Sequence, residues 1–137
     1  MSYWLVKTEP GCYAYADLAR DRRAVWDGVS NNWALQFLRQ MKKGDQVFVY
    51  HTGDEKQIVG IAEVVKPPYP DPKENDEKLT VVDLKAVRSL ARPVALATIK
   101  KDRRFKDFEL VKFSRLAVMP VSEEVWEHLL AMSQETP

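Results

Sequence analysis

The sequence predicts an α+β fold: a curved sheet or small barrel with helices at its margins. Strand-like segments outnumber long helical ones, and the two kinds are mixed along the chain. No βαβαβ rhythm marks a doubly wound parallel sheet. The 137 residues match one ordinary domain, so 1–137 reads as a single unit with a core of its own.

Tyr3 to Lys7 is a short run of aromatic and β-branched residues, stopped by Pro10-Gly11, and reads as a strand. Tyr13 to Arg20 places Tyr15, Leu18 and Ala19 at helical spacing. Val25 to Val29 is an apolar run broken by a turn signal. Asn31 or Asn32 is suited to cap a helix from Trp33 to Met41, with Ala34, Leu35, Leu38 and Met41 on one face. Lys42, Lys43 and Gly44 close that helix, cations at its negative end and glycine just beyond. Gln46 to His51 and Ile58 to Lys66 read as strands of a hairpin. Pro67 to Lys78 holds four of the eight prolines and reads as a loop. Leu79 to Val87 is a further strand, and Pro93 to Lys101 a short helix with proline in its first turn. Phe105 to Phe113 fits neither pattern cleanly. Arg115 to Met119 is a strand, and Ser122 caps a last helix with Glu123 and Glu124 in its first turn. Trp126 belongs to the apolar face of that helix.

Composition excludes some functions. Twenty-one Lys and Arg against 20 Asp and Glu leave a net charge of +1, so binding to nucleic acid through bulk charge is ruled out. The single cysteine, Cys12, forms no internal disulfide, which fits a reducing compartment. The first residues contain no apolar stretch long enough for a signal peptide or a membrane span, so a cytoplasmic protein is expected, with no membrane partner. With five glycines there is no phosphate-binding glycine loop. There is no CxxC, and His51 and His128 lie too far apart for a metal-ligand pair, so no metal and no cofactor are expected.

Two constellations remain. Lys100, Lys101, Arg103, Arg104 and Lys106 face one anion, Asp102, giving a local charge of +4 that suits a phosphate backbone or a solvated turn. The second is aromatic and polar. It comprises Tyr3-Trp4, Lys7-Thr8-Glu9-Pro10, Trp26-Asp27-Gly28-Val29 with Asn31, and Tyr50-His51-Thr52. Each group stands at the end of a strand, where ligand sites gather. Flat rings beside amides and carboxylates suit a planar heterocycle, stacked on one side and read along its hydrogen-bonding edge. An enzyme using His51 as acid or base, with Asp27 or Glu9 as partner, is a rival reading. A small-molecule module using the same pocket is another.

Taken in order, YWLVKTEP, VWDGVSN, MKKGDQVFVYHTG, IVGIAEVV, YPDP and RLAVMPVSEEVW resemble the EVE domain family from Tyr3 to about Leu130. The resemblance implies a PUA-like curved β-barrel of five to six strands flanked by short helices. It also implies a non-catalytic reader that takes a modified, methylated base of DNA or RNA into a pocket. By similarity to the YTH readers of methylated adenine, Lys7 and Thr8 would lie beside the nucleotide and Trp26 would wall an aromatic cage. Glu9 and Asn31 would face the base edge, and Tyr50, His51 and Thr52 would line the mouth. Trp33, Tyr69 and Tyr50 are candidates for the second wall. Lys7, Lys100, Lys101, Arg103 and Arg104 would hold phosphate. The chain departs from the family pattern at Thr8, Ser30, Trp33 and Leu35, and its charged bridge from Lys73 to Lys78 is short.

Overall fold

A computed structural model describes residues 2–74, 76 and 78–134. Six strands form one sheet: β1 (Tyr3–Thr8), β2 (Arg23–Trp26), β3 (Gln46–His51), β4 (Gln57–Pro70), β5 (Thr80–Ala95) and β6 (Val118–Val121). Their order across the sheet is β2-β5-β4-β3-β1-β6. The sheet is not closed, and β2 and β6 are its two edges. Among the described residues only β1 and β3 run parallel; every other pairing is antiparallel. β1 and β3 are covered on both faces, which is why YWLV and VFVY read as unbroken apolar runs rather than alternating ones.

Among the described residues five α-helices lie around the sheet: α1 (Tyr15–Asp21), α2 (Asn32–Gln40), α3 (Leu96–Lys101), α4 (Glu109–Lys112) and α5 (Glu123–Met132). Among the described residues none is long and apolar enough to cross a membrane. Asn31 caps α2 by accepting from the Trp33 and Ala34 amides at 3.0 and 3.1 Å, and Ser122 caps α5 through the Val125 amide. Trp126 stacks on Phe48 and Tyr3, with ring centroids 3.8 and 4.6 Å away, and is core as its helical spacing predicts.

Several boundaries differ from the sequence reading, among them the strand expected over Arg115 to Met119, which is Val118–Val121. β4 continues to Pro70, so the expected loop from Pro67 begins as strand. Register shifts around Lys66 take up the prolines, which have no amide to give a regular ladder. β5 runs on to Ala95, and Pro93 belongs to it rather than to α3. Between the Gly60–Ser89 and Ile58–Val94 pairs, one residue of β4 faces four of β5, and Pro93 lies in that excursion. The ambiguous stretch after Phe105 resolves into a 3-10 turn (Arg103–Phe105) and the single turn of α4. Positions 75 and 77 of the charged bridge lie outside the described residues.

Candidate nucleic-acid interface

The C-terminal end of β1 organises the site. Two consecutive residues there serve two different hollows. Thr8 lines a cleft of about 360 Å³ together with Cys12, Tyr13, Ala24, Val25, Trp26 and Asp27. The Lys7 ammonium donates to the Ser114 carbonyl at 2.9 Å, at the edge of a second hollow of about 310 Å³ lined by Asn31, Trp33 and residues 112–116. The segment from Asp27 to Asn31 joins the two.

In the first cleft, Trp26 and Tyr13 meet edge to face, centroids 6.2 Å apart. Trp26 sits on edge strand β2 with its ring mostly in the core, 7% exposed. Tyr13 is fixed at both ends. Its carbonyl accepts from the Thr8 hydroxyl at 2.6 Å, and its phenol donates to Asp21 at 2.9 Å. Burial and the Asp21 carboxylate push that phenol up to about 12. Asp27 supplies the cleft's carboxylate, and Lys73 lies 3.8 Å from it at the rim. Ala24 and Val25 add an apolar wall. The cleft thus brings together aromatic rings, a carboxylate and aliphatic carbon.

The structure gives several expected residues other work. Glu9 closes its own turn: its carboxylate accepts from the Gly11 amide at 3.1 Å and the Thr52 hydroxyl at 3.3 Å. A Cβ on Gly53, whose φ is +73°, would come within 2.7 Å of that carboxylate. Thr52 also donates its amide to the Thr8 carbonyl, tying the β3–β4 turn to the end of β1. Tyr50 is buried beneath Lys7, whose ammonium sits 5.5 Å over its ring. Burial lowers the Lys7 pKa from its ordinary value.

His51 is buried, 7% exposed, and both ring nitrogens are engaged. Nε2 accepts the first amide of α1, from Tyr15, at 2.9 Å; Nδ1 therefore carries the proton and donates to Glu55 at 2.9 Å. That bond to His51 lowers the Glu55 pKa. His51 holds the start of α1 in place and turns no nitrogen to the cleft.

None of the expected second walls, Trp33, Tyr69 or Tyr50, lines the Trp26 cleft. Trp33 stands in the second hollow, and Tyr69 donates to Asp83 at 2.5 Å beneath Lys66, whose ammonium is 4.0 Å over its ring. Burial and Asp83 push the Tyr69 phenol up to about 12. Asn31 belongs to the second hollow, its Oδ1 committed to capping α2. The basic stretch is exposed at Lys100, Lys101 and Arg103, while Arg104 is tied to Asp102 at 2.7 Å and to the His128 ring at 3.1 Å. Sequence reasoning passed over Tyr13 as a cleft residue, though it follows the Pro10-Gly11 turn directly after β1. It also passed over Lys112 and Arg115. Among the described residues no three His, Cys, Asp or Glu side chains come together to hold a metal ion.

Comparison with known proteins adds to this geometry. The EVE domain model matches residues 2–132. Mouse thymocyte nuclear protein 1 is 31% identical over 99% of this chain and 75% of its own. A protein of Rhodopseudomonas palustris solved by NMR superposes with a TM-score of 0.92 at 39% identity, covering 97% of this chain and 93% of that one. Human thymocyte nuclear protein 1, solved in complex with DNA containing 5-methylcytosine, superposes with a TM-score of 0.90 at 30% identity over the whole of both chains.

Proposed function

This chain belongs to the EVE domain family, and we propose that it is a non-catalytic reader that takes a modified base of a nucleic acid into the Trp26 cleft. The observation that carries the reading is the grouping of Trp26, Tyr13, Asp27, Ala24 and Val25 around one cleft at the end of β1. 5-Methylcytosine in DNA is the first ligand to try, because a relative of the same fold was solved with DNA that contains it. In this reading the ring lies against Trp26 and Tyr13. Its exocyclic amine donates to Asp27, a carboxylate being the acceptor suited to that group. The methyl group meets Ala24 and Val25. Phosphate falls to Lys7 and the exposed cations of the 100–103 stretch.

A reader is favoured over an enzyme by His51. The rival mechanism needs a ring nitrogen free to move a proton at the ligand. Both nitrogens here are engaged with Tyr15 and Glu55.

Cys12 supplies the test. It is exposed, lines the cleft and is the only cysteine in the chain. A duplex carrying 5-methylcytosine is expected to bind more tightly than the same duplex unmodified and to slow iodoacetamide labelling of Cys12. Equal affinity for the two duplexes, with Cys12 labelled at the unliganded rate, would refute the reading.

A further inference from the structure

The second hollow holds features that the Trp26 cleft does not explain. Trp33 is 40% exposed and Phe113 38% exposed, large rings left in solvent. They meet edge to face at 4.8 Å, and Phe37 backs Trp33 at 5.8 Å, so the pair is rigid rather than a stray surface contact. The hollow's charged lining is cationic: Lys112, with its ammonium 5.6 Å over Phe113, and Arg115. Among the described residues neither cation has an ion-pair partner. Lys7, at the end of β1, is bonded to Ser114 on the same rim.

Exposed rings ringed by cations, with no lining carboxylate, suit a strand of nucleic acid better than an apolar or basic protein surface. Lys7 and Thr8 are consecutive residues of β1, and the segment from Asp27 to Asn31 runs from the lining of one hollow to that of the other. We propose that this hollow is a second nucleic-acid contact, which takes another nucleotide of the strand whose base lies in the Trp26 cleft. Its base packs on the Trp33 indole, and its phosphate lies on Arg115 and Lys112. The proposal rests on the reader reading above. It gives Trp33 a role in holding the strand and none in recognising the modification.

The test compares Trp33→Ala, Trp33→Tyr and Arg115→Gln, each against a 5-methylcytosine duplex and its unmodified twin. Trp33→Ala is expected to weaken binding to both duplexes alike, by about tenfold, because stacking on an aromatic ring is tolerant of base identity. Trp33→Tyr restores most of that loss. Arg115→Gln makes the slope of log affinity against log salt shallower by about 0.9, the loss of one phosphate contact. Trp33→Ala binding both duplexes as tightly as the parent would overturn the proposal. So would a loss of the methyl preference alone, which would put Trp33 in the base pocket. If the parent shows no methyl preference, the reading of the Trp26 cleft fails, and the effect of Trp33→Ala on total affinity still decides this one.

Discussion

At the scale of single residues, several polar side chains near the site hold backbone in place. His51 is the clearest. Replacing it with alanine leaves the buried Tyr15 amide without an acceptor, so a stability loss of about 1–3 kcal/mol is expected in denaturant titrations. Asn31 caps α2, and Asn31→Ala is expected to cost about 1 kcal/mol in the same measurement. Gly60 shows the opposite constraint. A Cβ there would lie 2.0 Å from the ring of Tyr15, which is held by its phenol to the Ile61 carbonyl and by its amide to His51. The ring has nowhere to go, so Gly60→Ala is expected to destabilise by about 1–3 kcal/mol, read as a lowered Tm.

At the scale of elements, β2, β4 and β5 are tied together by a cluster of Arg23, Lys66, Tyr69 and Asp83. Asp83 is pushed up by its burial, but bonds from Tyr69 and Arg23 outweigh this and leave it below the usual carboxylate range. The Tyr69 phenol moves the other way, to about 12 from 10.0. A folded pKa above the unfolded one gives stability that is complete below pH 10 and lost as pH rises from 10 through 12. Tyr69→Phe is therefore expected to flatten the fall in Tm over that range, measured in parallel melts of the two proteins. Local pattern gave away most of the elements: the apolar runs of β1 and β3, the Asn31 cap and the acidic first turn of α5 all act over a few residues. The extended parts of β4 and β5 were hidden because prolines there are tolerated only through register shifts, which depend on the partner strand. Trp26, Asp27 and Thr8 were legible as strand-end residues. Their grouping with Tyr13, and the separation of Trp33 and Asn31 into another hollow, depend on which strand ends the topology brings together. Buried Asp45 was equally silent in sequence, yet it accepts from the Trp4 indole, the Ser2 amide and the Lys42 amide.

At the scale of the whole molecule, a net charge of +1 is an average over unlike regions. Lys7, Lys112 and Arg115 edge one hollow, while Asp27 faces the other. Raising salt is expected to weaken both methylated and unmodified duplexes along parallel lines, keeping their ratio, since screening acts on phosphate contacts and not on the base in its cleft. Affinities measured from 50 to 300 mM salt, roughly a Debye length of 14 to 6 Å, would check this. The sheet order also sets when the molecule becomes competent. β1 precedes the other five described strands in sequence, yet it lies between β3 and β6, pairing Val6 with Val118 and holding Ser114 on Lys7. Both hollows open from the end of this strand. The β6 edge of β1 therefore stays unpaired until Val118–Val121 has been made. The second hollow, which takes residues 112–116 as one wall, is complete only after that stretch has reached the end of β1.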